Sequence, residues 1–514
     1  MRFIKQLLKY NKVTDIDFVS STQIAKPTKS VFLTVDENIS SIKQTFSGAE
    51  DLVIKELKTG TVQGAMIYLE TMADKEKIQK YIVKGCLEAN IETIQNVLHA
   101  NFQASTDFNE VEDALLEGFC VLCLHGFEPL YIAEVSISEE RSITEPENEK
   151  VVQGSHDGFI ENLSTNLYLL RRTMKSPNLC TRYFSVGSQV KSKVALVYMN
   201  NLANEEVVRE FDRRLKSIAM DHVLNIGFLE ELIEDSTLSP FPQVLNTERV
   251  DRVVGHLNEG RVAVIMEGNS TALLLPVTFF AFYQSPDDYN SRWLIGTFIR
   301  FIRHASFLIS ILLPAFYIAV IAFHFEVLPD ELVLPIGSSI DKIPFPPLIE
   351  ALIMELTIEL IREAGIRLPS RISQTIGIVG GLVIGDAIVQ AGFISTTMIV
   401  VVAVTAISSF CVPSHGMSDA VRLLRFPFMF LAASFGFVGI VLGYIVLLAH
   451  LCKLESFGTP YFAPFAPLRI KDIKDTFLRL PVWKFNTRPL DSHPKYMKQQ
   501  ANSRGWKYDE RKKR

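Results

Sequence analysis

Three carboxylates spaced four residues apart, Glu355, Glu359 and Glu363, lie in a stretch rich in Leu and Ile, PFPPLIEALIMELTIELIREAGIRLP (344–369). On an α-helix they fall on one narrow face, while Leu356, Leu360, Ile361, Ile353, Met354 and Ile358 cover the rest. Pro346 and Pro347 suit a first helical turn and Gly365 suits its end. From Pro347 to Glu363 the helix runs roughly 25 Å, close to the depth of a bilayer's hydrocarbon core. Carboxylates at that depth are costly unless hydrated, so the stripe is expected to line an aqueous path or a polar seam between subunits. An amphipathic helix lying flat on the membrane is the plainer alternative; apolar segments on either side that are long enough to span argue against it. Asp386, in IGIVGGLVIGDAIVQAG, is a further ionisable group near membrane depth. It suits the same path, an interfacial position or a helix–helix hydrogen bond. Asp287 and Asp288, in QSPDDYNSRW, sit just ahead of the apolar region. They would either cap the pre-membrane helix or form a vestibule for cations.

What positions these groups is a chain of two characters. Over 514 residues the net charge is −5. Residues 453–514 alone carry 15 Lys+Arg against 6 Asp+Glu, so the rest stands near −14. Residues 304–452 hold long runs almost free of charge, whereas residues 1–300 read as a soluble, slightly acidic protein. This is the composition of a membrane protein with a large polar N-terminal region. MRFIKQLLKYNK is basic and short, and no apolar run or cleavage site follows it, so the N-terminal region is expected in the cytoplasm.

The expected fold is an α/β N-terminal region of two lobes, an α-helical transmembrane domain of four or five spans, and a basic tail. The divisions are a loose arm (1–30), a first lobe (31–140), a linker and helix (141–180), a second lobe (181–292), the transmembrane domain (293–452) and the tail (453–514). The first lobe reads as an apolar strand (Ala65 to Leu69), helices from about Asp74 to Val97 and Asn109 to Leu116, and a hairpin. That hairpin pairs Phe119–Leu124 with Leu130–Val135 across His125-Gly126. The second lobe repeats the plan: Val194–Met199, helices near Glu205–Ile218 and Arg249–Leu257, then Val262–Glu267 and Ala272–Val277 about Gly268-Asn269. Two occurrences of one plan suggest a duplicated α/β unit.

In the apolar region Ala305–Phe325 is long enough to span, followed by the acid-striped helix, Thr375–Ala391, Ile394–Val412 and Phe426–Leu451. Charge counting leaves the side of the tail open, because one placement puts the tail outside and the other puts five arginines there. Gly377, Gly381 and Gly385 bare one helix face, the arrangement that lets membrane helices touch backbone to backbone. Cys120 and Cys123 form a CxxC on a strand, where positions i and i+3 point to opposite faces, so they read as core. No GxSxG, HExxH, Walker or dinucleotide fingerprint is present and the ten histidines show no metal-ligand spacing. The chain is therefore not expected to be an enzyme, to need a cofactor or to bind nucleic acid.

RSITEPENEKVVQG, LEELIEDSTLSPFPQVLNTERVDRV, QSPDDYNSRW, the acid-striped stretch, QTIGIVGGLVIGDAIVQAG, LLRFPFMFLAASFG and SFGTPYFAPFAP together resemble the A subunit of the spore germinant receptor (GerA) family. The resemblance runs from about Arg141 to Pro467. It implies a subunit of a nutrient-sensing complex in the spore inner membrane, with a transporter-like B subunit and a lipoprotein C subunit as partners. It further implies a pentamer-like ring acting as a nutrient-gated channel for monovalent cations, in which Glu355 and Glu359 would form acidic collars. Gln153, Ser155 and His156 depart from the basic opening usual in this linker, which weakens any grip on an acidic partner there. The alternatives are a non-conducting scaffold of the receptor complex and an auxiliary A-subunit paralogue that amplifies ion release. The nutrient itself cannot be read from these residues.

Overall fold

The structure is a computed structural model that describes residues 30–46, 48–59, 62–84, 102–137, 145–341, 343–367 and 385–501. Its N-terminal half is built on two five-stranded antiparallel sheets. The first contains β1 (Leu52–Thr59), β2 (Val62–Leu69), β3 (Gln103–Ser105), β4 (Cys120–Leu124) and β5 (Leu130–Ala133), in the order β1-β2-β4-β5-β3. The second contains β6 (Leu179–Val186), β7 (Ser192–Met199), β8 (Leu245–Thr247), β9 (Val262–Met266) and β10 (Ala272–Leu275), in the order β6-β7-β9-β10-β8. Strand for strand, the two orders are the same. The central strands and hairpins are those expected from the apolar runs. Gly126 and Gly268 take positive φ at the hairpin turns (86° and 79°), a conformation glycine adopts without strain.

Alternation along the strands sorts side chains between two faces. Ala65, Ile67, Leu69, Val121 and Cys123 face α1 (Val35–Thr45) and α2 (Phe108–Leu116). Met66, Tyr68, Cys120, Leu122 and Leu124 face Ile78 and Ile82. Cys120 and Cys123 therefore lie on opposite faces, both buried, and burial pushes the Cys123 thiol up to about 12. The helix expected from Asp74 begins as Lys75–Lys77 and continues as a π-helical turn, Ile78–Val83; its remaining expected length falls outside the described residues.

In the second sheet, Ala195, Val197, Met199, Ala263 and Ile265 face α3 (Leu163–Thr173). Val194, Leu196, Val262, Val264 and Met266 face α4 (Glu205–Lys216) and α5 (Ile226–Ile233), while α6 (Val250–Asn258) closes the first of these faces. A single apolar cluster runs from Leu167, Val253 and Leu257 through Phe279 and Phe307 to Ile311, Met354, Met398, Val421 and Leu447. The second lobe and the helical region thus share one core. The two lobes meet through a buried ion pair: Arg171 of α3 holds both carboxylate oxygens of Asp51 at 2.9 and 2.7 Å, and Thr71 donates to the same Asp51 at 2.8 Å. Removing one partner of a buried pair strands the other charge, so Asp51→Ala is expected to cost roughly 3–5 kcal/mol. Thermal unfolding of the detergent-solubilised protein checks this, and an unchanged transition would refute it.

The helical region comprises α7 (Trp293–Phe323), α8 (Asp330–Ile340), α9 (Pro347–Arg367), α10 (Thr396–Phe410) and α11 (His415–Lys453), with a short helix, Gly385–Gln390, between α9 and α10. Among the described residues α7 is long and apolar enough to cross a membrane, and α11 would be if it were one continuous helix. Phe426–Leu451, expected as one span, is not one. Gly436, with φ 59° and ψ −138°, divides α11 into two legs, 415–435 and 437–453. The legs fold back on each other: Gly443 packs against Phe428 and Leu431, and Gly439 against the Leu431 carbonyl. In a continuous helix residues 428 and 443 would stand about 22 Å apart. Both ends of α11 lie beside the second lobe, Gly416 against Pro242 and His450 Nε2 at 2.9 Å from Ser239 Oγ. The turn itself lies at the far end of α7, where His324 stacks on Phe437.

The C-terminal segment is not a detached tail. Over its described part it packs on the second lobe, with Asp491 on Arg261 (2.7 Å), Lys495 on Glu205 (2.9 Å) and Arg488 donating to the Asn258 carbonyl (2.7 Å).

Candidate functional site: a staircase of ion pairs among apolar helices

The striped helix forms as expected, but Glu350 and Glu355 turn inward, and each acid finds a cation or a backbone donor. Glu355 is fully buried and pairs with Arg425 of the first leg of α11; that guanidinium also donates to the Ser310 carbonyl (3.0 Å) and to Ser310 Oγ (3.1 Å) of α7. One turn on, Glu359 accepts from Arg422 at 2.7 Å, and Arg422 also binds Asp419. A further turn on, Glu363 pairs with Arg367 at 2.6 Å on an exposed face. Between them Arg362 donates to Ser409 (3.1 Å) and lies over the Phe410 ring. At the other end Glu350, also buried, accepts the backbone N–H of Ser395, whose hydroxyl meets the Tyr317 hydroxyl at 3.1 Å.

This arrangement follows from two opposed periodicities. The four-residue spacing of the acids sets one face of α9, and Arg422 and Arg425, three residues apart, set one face of an antiparallel leg. Rising residue numbers on α9 therefore meet falling numbers on α11. In the single chain, then, Glu355 does not face water: burial beside a fixed arginine is the second way to carry a carboxylate among apolar helices. Exposure grows along the staircase, from Glu355 (0%) through Glu359 (28%) to Glu363 (60%). Oε1 of Glu355 has no hydrogen-bond partner among the described residues. The outward face of α9 instead presents Ile349, Leu356 and Leu360.

A second cluster clasps the foot of α7. Asp288 is fully buried, held by Arg300 (3.2 Å) and Arg303 (2.7 Å), and Asp287 is the partly exposed member of the pair. Asp288 is thereby spent on the chain's own arginines rather than offered to a vestibule. Arg300 reaches onward to Asp475 at 2.9 Å, which also accepts from the Tyr289 hydroxyl at 2.9 Å. Burial raises the Asp475 carboxyl above the usual range even against the pull of Arg300. The linker is held too: Glu149 accepts from Arg252 (2.5 Å) and Thr247, while Arg249 donates to the Glu149 and Ser155 carbonyls. His156 meets Glu145 at 2.9 Å on the surface.

Of the remaining expected residues, Gly377 and Gly381 lie outside the described residues, and Gly385 and Asp386 are described by backbone alone, in the helix Gly385–Gln390. The close helix contact that is described uses Gly436, Gly439 and Gly443, which sequence reasoning passed over; their spacing in FGFVGIVLG was the available signal. Arg422, Arg425 and Glu350 were likewise missed as site residues. In the sequence Arg422 and Arg425 are two of the five arginines whose side of the membrane charge counting leaves open.

Residues 40–490 match the family described as Bacillus/Clostridium GerA spore germination protein. The chain is 39% identical to the membrane protein YfkQ of Bacillus subtilis (strain 168), over 88% of this chain and 90% of that one. It is 38% identical to spore germination protein KA of the same organism, over 88% and 86%, and 38% identical to its spore germination protein A1, over 87% and 94%. The crystal structure of the N-terminal domain of the A subunit of the Bacillus megaterium spore germinant receptor GerK3 aligns with 49% of this chain and 98% of that one, at 30% identity and a TM-score of 0.39. The chain belongs to the GerA spore germination protein family.

Proposed function

We propose that this chain is a membrane subunit of a germinant receptor complex that triggers spore germination, and that copies of it form a pentamer-like ring conducting monovalent cations. Its partners are a transporter-like B subunit that senses the nutrient and a lipoprotein C subunit, in the spore inner membrane. Family membership and relatives named as spore germination proteins support the role in germination. The observation that carries the conduction reading is the staircase: ionisable groups threaded through apolar helices mark ion paths, and here their exposure increases stepwise toward one end.

The helical region crosses an even number of times, so the lobes and the tail share the cytoplasmic side. Contacts of Asp491 and Lys495 with the second lobe support this, as do those of both ends of α11.

The pairing of Glu355 and Glu359 with Arg425 and Arg422 favours a second reading, a scaffold that anchors the complex without conducting. Bilayer conductance of the purified subunit with its partners separates the two. Glu359→Gln with Glu363→Gln is expected to lower cation flux several-fold while leaving assembly intact. This pair is a cleaner test than one including Glu355, because Arg422 retains Asp419. No conductance at all supports the scaffold, whereas unaltered flux from the double variant removes the staircase from the ion path.

A further inference from the structure

We infer that the cleft enclosed by α6, the pre-membrane segment and the C-terminal segment is a binding site for a small organic cation, a primary or quaternary ammonium compound. Its volume is about 590 Å³, within the roughly 300–1,000 Å³ usual for small-molecule sites. The site does not depend on whether the helical region conducts.

The charge on its wall decides the ligand class. Asp251, Glu259, Asp472 and Asp475 line the cleft. The arginines that pair with three of them lie behind: Asp251, Glu259 and Asp475 are each about a quarter exposed, whereas Arg249, Arg261 and Arg300 are buried. An occupant therefore meets carboxylate oxygens before it meets guanidinium. Of the two cations in the lining, Arg252 is paired with a carboxylate and Lys474 is held by neutral oxygens, its charge facing Asp472 and Asp475. Arg252 is spent on Glu149 and on the carbonyls of Ala281 and Gln284. Lys474 donates to the carbonyl and hydroxyl of Thr487 at 3.0 and 2.7 Å.

Asp472 makes no ion pair among the described residues; burial and then nearby Asp491 raise its carboxyl above the ordinary range, against the weaker pull of Arg469 and Lys474. An ammonium group placed there removes that repulsion. Phe485 adds an aromatic wall of the kind that holds quaternary ammonium groups.

Calorimetric titration of the full chain in detergent tests this with choline and n-butylammonium, against 3,3-dimethyl-1-butanol, which has the shape of choline without its charge. Binding of at least one ammonium probe is expected, with the neutral compound bound at least about tenfold more weakly. Asp472→Asn should weaken the ammonium probe about tenfold, in line with losing a charged contact. Phe485→Leu should weaken it about two- to fivefold, in line with losing a cation–π contact. The second variant carries the test if the first does not fold. Absence of binding by both ammonium probes at millimolar concentration, equal binding of the neutral compound, or affinity unmoved in the folded variants would overturn the assignment.

Discussion

Arg425→Met is expected to abolish accumulation of folded protein in the membrane, whereas Arg425→Met combined with Glu355→Met restores it. The pair is closed to solvent on both sides, with Glu355 fully buried and Arg425 nearly so. Removing the arginine leaves a fully buried carboxylate without its ion-pair partner, a loss of roughly 3–5 kcal/mol. That is a large share of the stability of any domain. Removing both charges in favour of side chains of similar volume is expected to be neutral or stabilising by up to about 4 kcal/mol. Membrane levels and thermal unfolding of the single and double variants read this directly. If the single variant accumulates and melts like the parent, the pair is not the brace described above. If the double variant is stable but no longer supports germination, the pair has a task beyond stability.

The second large effect is expected at the fold-back of α11. A Cβ on Gly439 would run into the Leu431 carbonyl, which is backbone and cannot rotate away. Gly436 has backbone angles that side-chain-bearing residues avoid, and a Cβ there would lie 3.0 Å from His324 Nε2. Gly439→Ala and Gly436→Ala should each cost roughly 1–3 kcal/mol. Gly337→Ala in α8 is the matched control: its Cβ meets nothing within 4 Å, so the change should be neutral or gain up to about 1 kcal/mol from helix propensity. Equal behaviour of all three variants in thermal unfolding would show that the legs are not packed this tightly.

What could be read before the structure, and what could not, follows from the range of the interactions. Ala65–Leu69, Val194–Met199 and the two hairpins were legible because strands buried on both faces give short apolar runs ending in turn residues. The edge strands β3 and β8, three residues each, carry no such signal, and β1 and β6 are broken by Lys58 and Arg182. The acid stripe was legible as a face, since its four-residue spacing is local. Its destination was not, because Arg425 is 70 residues away in sequence and only the antiparallel approach of α11 brings it to Glu355. Phe426–Leu451 reads as one span since hydropathy cannot distinguish a helix that crosses once from two legs that turn at a glycine.

The turn at Gly436 also bears on how the protein is made. It joins two greasy legs without any hydrophilic loop, since the residues beside it are Phe435 and Phe437. No charged side chain has to be carried through the lipid to complete this turn. Both legs can therefore enter an apolar phase together, as one back-to-back hairpin.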